Sequence, residues 1–216
     1  MASSAKDPSC KLYLLTPAAI EAVSFADTLK RAIDAAPEIV GAVQLRLKDI
    51  SDDDFKRAAE TLLPVCHAFD LPLIINDRPD IAASIGADGV HIGQDDTDYA
   101  TARDMLGADA IIGVTCHASR DLAIEAGDKG ADYVAFGAFF PSASKETKHQ
   151  ADPEIIEIWS SMTIVPCVAI GGITAENCPP LVAAGADYLA VIGCIWSHPD
   201  GPEAGVRAFT EVLKTA

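Results

Sequence analysis

Short apolar runs rich in β-branched residues alternate with helix-period segments along the chain. The runs at 12–15, 43–47, 73–75, 89–92, 111–114, 133–136, 168–170 and 188–191 read as strands. Between them, 19–36, 51–69, 79–85, 97–106, 119–129, 153–161, 175–184 and 203–215 carry apolar positions at the spacing of a helix that buries one face. Ser51 ahead of Asp52, Asp53 and Asp54 is a helix start, since acidic side chains suit the positive end of the helix dipole; Thr174 ahead of Ala175 and Glu176 reads the same way. Eight strand–helix units in 216 residues leave about 27 residues per unit. That arithmetic predicts an α/β fold, a (β/α)₈ TIM barrel forming one domain over 1–216, with residues 1–10 a flexible N-terminal extension. An open doubly wound sheet is the rival, because strand order is not written in the pattern.

An internal echo accompanies the alternation. Gly86-Ala87-Asp88, Gly130-Ala131-Asp132 and Gly185-Ala186-Asp187 each follow a helical segment and precede an apolar strand. Glycine suits the left-handed residue that ends a helix, and the short turn then feeds the next strand.

Composition narrows the chemistry. Half of the residues are hydrophobic, 22% are charged, and the net charge is −16, which suits a protein with a real core and excludes nucleic acid as a partner, since duplex binding depends on neutralising phosphates. The six cysteines show no zinc-like or CxxC spacing and read as small buried hydrophobes. No apolar run is long enough to span a membrane and no secretory leader pattern is present, so a cytoplasmic location is expected, with a homo-oligomer allowed.

In a barrel of this kind the reactive groups collect where strands end. Strand alternation places Val43, Leu45 and Leu47 on one face of the second strand, and Gln44, Arg46 and Lys48 on the face that looks into the barrel. Two inward cations in an acidic protein call for an anion, and phosphate fits; a half-exposed strand with a solvated charged face is the bland alternative. Asn76 and Asp77 follow the third strand and Asp96 follows the fourth. Each alone is an ordinary helix cap, but two carboxylates on neighbouring strand ends suit Mg²⁺, which takes one or two carboxylates with phosphate oxygens and water. His91, inside its strand, reads as packing. Thr115 offers a hydroxyl, and a Cys116–His117 nucleophile pair is weak because sequence neighbours point apart. Ser142, Ala143, Ser144 and Lys145 form a polar loop after the sixth strand. Gly171-Gly172 and Ile192-Gly193 follow the seventh and eighth, where backbone N–H groups of such barrels approach a phosphate. No residue stands out as a covalent nucleophile.

Taken in order, Gln44-Leu45-Arg46-Leu47-Lys48, Ile74-Ile75-Asn76-Asp77-Arg78, the run Gly86 to Asp96, Gly113-Val114-Thr115, Pro141 to Lys145 and Ala169 to Thr174 resemble the thiamine-phosphate synthase family. The likeness runs from about Leu12 to Trp196. It implies a Mg²⁺-dependent (β/α)₈ transferase acting on small phosphorylated molecules. Such an enzyme joins hydroxymethylpyrimidine diphosphate to hydroxyethylthiazole phosphate, giving thiamine phosphate and pyrophosphate. Carried across, it implies that Gln44, Arg46, Lys48, Asn76, Thr115 and Lys145 contact the pyrimidine diphosphate, with Arg46, Lys48, Thr115 and Lys145 catalytic. Asp77 and Asp96 would hold the metal, and Ser142, Ala143, Ser144, Gly171, Gly172, Ile192 and Gly193 the thiazole phosphate.

The chain departs from that pattern at Leu47, where glutamate is usual, at Thr115 and Gly193, where serine is usual, at Ser142 and Ser144, where threonine is usual, and at Ala138, where proline is common. Two other readings compete. A thiazole tautomerase of the same superfamily resembles the chain, but uses a histidine where Ala138 stands. A non-catalytic phosphate-binding barrel would not need both carboxylates and all the inward cations.

Overall fold

The computed structural model describes residues 10–141 and 150–214. Eight strands and their helices follow in strict alternation: β1 Lys11–Leu15, α1 Ala22–Asp34, β2 Val40–Leu45, α2 Asp52–His67, β3 Leu73–Asn76, α3 Pro79–Ile85, β4 Gly89–Ile92, α4 Tyr99–Leu106, β5 Ile111–His117, α5 Arg120–Asp128, β6 Tyr133–Gly137, α6 Glu154–Met162, β7 Cys167–Ile170, α7 Pro179–Ala183 and β8 Tyr188–Val191. Three short helices close the chain, α8 Gly193–Trp196, α9 Pro202–Arg207 and α10 Thr210–Lys214. All neighbouring strands run parallel, and β8 pairs with β1 to close the ring. The open-sheet alternative is therefore excluded. Among the described residues no helix is long and apolar enough to cross a membrane.

Local chemistry explains most of the element ends. Ser51 caps α2 by accepting from the Asp54 N–H at 3.1 Å, with Asp52, Asp53 and Asp54 in the first turn as expected. The expected helix over 175–184 shrinks to α7 because Pro179 and Pro180 lack the N–H groups that would bond back to residues 175 and 176. The single helix expected over 203–215 is divided in two at Phe209, whose N–H takes a tight three-residue bond to the Val206 carbonyl at 3.1 Å. Cys10 is buried, so the barrel already begins there; the rest of the expected extension lies outside the described residues.

Strand alternation sorts the core into two layers. Outward residues such as Val43, Leu45, Ile75, Val90 and Phe136 pack under the helices. Tyr13, Leu15, Ala42, Ile74, Tyr133, Ala135, Val168 and Ala190 fill the interior. The two inner phenols need space that β5 supplies: a Cβ on Gly113 would sit 1.9 Å from the Tyr133 ring. Five of the six cysteines are buried, as small apolar residues would be, and Cys194 is half-buried.

The three Gly-Ala-Asp echoes share one geometry. Gly86, Gly130 and Gly185 adopt the left-handed conformation at helix ends, with φ of +66°, +95° and +94°. The aspartate that follows turns its carboxylate to a strand N–H: Asp88 to Leu73 at 2.8 Å, Asp132 to Ile112 at 2.8 Å and Asp187 to Cys167 at 2.7 Å. Each aspartate thus ties the start of an odd strand to the even strand it precedes, at the end of the barrel opposite the strand termini. An Asp187→Ala substitution strands the Cys167 N–H and is expected to lower stability by about 1–3 kcal/mol in urea unfolding, without altering ligand binding at the far end.

Candidate functional site

The strand ends open into a cavity of about 790 Å³. Gln44, Arg46, Asn76, Asp77, Asp96, Thr115, Gly171, Gly172, Ile192 and Gly193 all line it. Ten positions spread between Gln44 and Gly193 therefore converge on one cavity. Lys48 does not line it. The strand stops at Leu45, earlier than the expected 47, the Lys48 N–H bonds to the Ala18 carbonyl at 2.9 Å, and the side chain is exposed to solvent. Ser142, Ala143, Ser144 and Lys145 fall outside the described residues.

The acidic corner is built from β3 and β4. Asn76 ends β3 and donates from Nδ2 to Asp77 Oδ2. The chain then turns sharply, with Asp77 in the left-handed region at φ +62° and its N–H bonded to the His91 carbonyl at 2.8 Å. Arg78 holds this turn from outside, bonding Asp52 at 2.6 and 2.9 Å and Asp80 at 2.9 and 2.7 Å. Beyond the end of β4, Asp96 folds back so that Oδ2 accepts the Gly93 N–H at 2.8 Å.

The Asp77 and Asp96 carboxyl groups lie close enough there to act on one another. Partial burial, and then the Asp96 carboxyl, push Asp77 up to about 6, partly offset by nearby Arg46. A pair of oxygen donors whose joint ionisation is disfavoured by their closeness is a donor set for a hard cation. Among the described residues no group of three or more histidine, cysteine, aspartate or glutamate side chains is placed to hold a metal ion. Two carboxylates leave the remaining positions for phosphate oxygens and water, which fits Mg²⁺ and not a caged zinc.

Across the mouth the lining is backbone and small side chains. Gly171 and Gly172 have φ of +108° and +60°. A Cβ on Gly172 would lie 2.3 Å from the Pro141 carbonyl oxygen, so glycine is required there. Asn177 braces the turn, donating to the Gly172 carbonyl at 2.9 Å and accepting the Thr174 N–H at 2.8 Å. Sequence reasoning passed over Asn177; its position three residues after Thr174 was the available signal. Gly193 begins α8, ahead of the Ile195 and Trp196 N–H groups that close on the Ile192 carbonyl, and a Cβ there would meet nothing within 4 Å.

The floor is a buried polar layer, and sequence reasoning also missed Tyr13 and Tyr133 within it. Gln44 Nε2 donates to Tyr13 Oη at 3.0 Å, and the two phenol oxygens lie 2.8 Å apart. Tyr133 Oη lies 2.9 Å from His91 Nδ1, and His91 Nε2 lies 2.8 Å from Thr115 Oγ1. Burial holds His91 down to about 4 and lifts both phenols above their ordinary range, so at neutral pH all three are uncharged. His91 is a packing residue, as expected, though one fully engaged in hydrogen bonds.

The Cys116–His117 pair is dismantled by a bulge in β5, which buries Cys116 and turns His117, at φ +51°, out to the mouth. Burial pushes the Cys116 and Cys194 thiols up to about 12, far from thiolate formation at neutral pH.

Residues 12–195 match the sequence profile of a family described as thiamine monophosphate synthase. A thiamine-phosphate synthase of Rhodospirillum centenum is 58% identical over 205 residues, covering 95% of this chain and 98% of that one. One from Erythrobacter litoralis is 49% identical over 208 residues, covering 95% and 96%. In three dimensions the chain is similar to a thiamine phosphate pyrophosphorylase from Pyrococcus furiosus, with a TM-score of 0.81 at 26% identity, covering 95% and 96% of the two chains.

The electrostatics of the acidic corner have a measurable consequence. In the unfolded chain Asp77 titrates near 3.8; in the folded chain it keeps its proton to about 6. Folding therefore takes up a proton in that window, and this group's contribution to stability falls as pH rises from about 4 to about 6. In Mg²⁺-free buffer, Asp77→Asn is expected to be more stable than the unaltered protein by roughly 1 kcal/mol at pH 8, allowing for solvent screening, with the difference gone below about pH 4. Thermal melts across that range measure it.

Proposed function

The chain belongs to the thiamine monophosphate synthase family of transferases, and on that premise we propose that its barrel mouth joins hydroxymethylpyrimidine diphosphate to hydroxyethylthiazole phosphate. The observation that carries this reading is the convergence of Gln44, Arg46, Asn76, Asp77, Asp96 and Thr115 on one side of a cavity whose other side is the Gly171-Gly172 turn and Gly193. One side suits a diphosphate with its metal, the other a monophosphate held by backbone N–H groups.

The reaction breaks the bond between the pyrimidine methylene carbon and the diphosphate oxygen. The electron pair leaves with pyrophosphate, and the resulting pyrimidine-methyl cation is captured by the thiazole ring nitrogen. Mg²⁺ held by Asp77 and Asp96 would supply positive charge beside the departing diphosphate. Arg46 adds a permanent cation at the same corner. Asn76 orients Asp77 through its amide. The Gly171-Gly172 turn and Gly193 fix the thiazole phosphate, so that the two reactants meet without a random encounter. No nucleophilic or general-base side chain is needed, which agrees with the buried thiols and the uncharged His91.

The tautomerase alternative gains nothing from the geometry, since Ala138 has no titratable group. We further propose a cytoplasmic site of action, because doubly charged phosphates do not cross a bilayer unaided.

Incubating the protein with Mg²⁺ and both phosphorylated heterocycles is expected to release thiamine phosphate and pyrophosphate in equal amounts. Binding of each compound without turnover would leave a phosphate-binding barrel instead. Arg46→Ala is expected to raise the KM for the pyrimidine diphosphate by about 10–100-fold, the loss of one charge-assisted phosphate contact, and to change the KM for the thiazole phosphate far less. Gly193→Ser, which finds open space, is expected to fold normally and to lower the KM for the thiazole phosphate only.

A further inference from the structure

Arg78 occupies a place that local chemistry disfavours. It is the N-cap of α3, where a short oxygen-bearing side chain is the rule, and its own side chain makes no capping bond. Its guanidinium also lies against the first turn of α2, so a cation sits at the positive ends of two helix dipoles. Asp52 in the first turn of α2 and Asp80 in the first turn of α3 compensate it, each accepting two hydrogen bonds of 2.6–2.9 Å. The arginine side chain is 35% exposed and the two carboxylates 63% and 54%, and ion pairs so open to water contribute little to stability. What the double fork does fix is geometry, because four of the five guanidinium N–H bonds are committed in one plane. A residue kept against local preference, for small gain in stability, points to the site beside it.

That site is the acidic corner. Asp77 immediately precedes Arg78 and holds the left-handed φ of +62° that brings its carboxyl to that of Asp96. On the β4 side its backbone is tied by the N–H bond to the His91 carbonyl, and on the other side by the Arg78 fork to α2 and α3. We propose that Arg78 is a positioning residue: its double fork keeps the Asp77 turn in this strained conformation and thereby raises the affinity of the Asp77–Asp96 corner for a hard divalent cation. The proposal rests on the metal reading of that corner given above. Charge alone predicts the opposite. One guanidinium and two carboxylates sum to −1, and removing the guanidinium leaves −2, which attracts a cation more strongly. The sign of the effect therefore separates a clamp from a bystander charge.

Binding of Mn²⁺ to the protein without substrates, counted from the electron spin resonance signal of the free ion, reads the cation affinity; Mn²⁺ shares the preference of Mg²⁺ for carboxylates. Sites that survive in Asp77→Asn are subtracted. Arg78→Gln removes both charge and fork, whereas Arg78→Lys keeps the charge as a point that cannot fork two carboxylates. Both are expected to raise the Mn²⁺ dissociation constant, Arg78→Gln by about tenfold, the effect of releasing one strained residue. Exchange of the Asp77 amide hydrogen with solvent, followed by NMR with no metal present, is expected to quicken in both variants. Mn²⁺ binding that is unchanged or tighter in either variant overturns the proposal, and a lowered urea midpoint beside unchanged binding marks a purely structural residue. Asp77 amide exchange as slow as in the unaltered protein overturns it too, by showing that the clamp has failed. An unaltered protein that binds Mn²⁺ no better than Asp77→Asn shows instead that the metal reading has failed, and the proposal with it.

Discussion

A closed ring of parallel strands has no free edge, and its interior holds only what the inward side chains of eight strands can fill together. Everything else in this molecule follows from that closure. Because every strand points the same way, all strand ends face one mouth, and residues as distant in sequence as Gln44 and Gly193 become neighbours around one cavity. Because the ring is narrow, two inward phenols and an imidazole must share one layer, and sharing a layer obliges them to bond to one another.

The two ends of the barrel divide the work. At the strand starts, Asp88, Asp132 and Asp187 bind backbone N–H groups of odd strands and satisfy donors that the ring leaves without partners. At the strand ends, the chain keeps an unfavourable arrangement: Asp77 in a left-handed conformation with its carboxyl against that of Asp96. The site therefore stores charge repulsion that a bound cation would relieve, which is how a binding site gains affinity at some expense of stability in its free form.

Much of this was legible in the sequence. Strand and helix alternation gave the fold, since period-two and period-3.6 patterns are direct images of burial. The glycine turns and the paired aspartates were readable because few physical needs call for those residues at strand ends. What escaped was of two kinds. Lys48 was placed in the mouth because alternation was extended past the true end of β2; where a strand stops depends on tertiary bonds such as Lys48 N–H to the Ala18 carbonyl, which no local pattern records. Tyr13 and Tyr133 were not singled out, since their partnership spans 120 positions and exists only once the ring is shut. The Gly-Ala-Asp echo was recognised, but the role of its aspartate was not, for the same reason: its acceptor function points to a different strand.

The absent side chain at position 113 has an implication beyond packing. The Tyr133 ring occupies the volume that any larger residue there would need, leaving about half of an ordinary van der Waals separation. The two positions therefore form a lock-step couple: a homologue bearing alanine or larger at the first cannot keep the phenol where this protein has it. That one residue of β5 is thus a readable marker, in sequence alone, of whether a barrel of this kind retains an oriented polar floor or has exchanged it for an apolar plug.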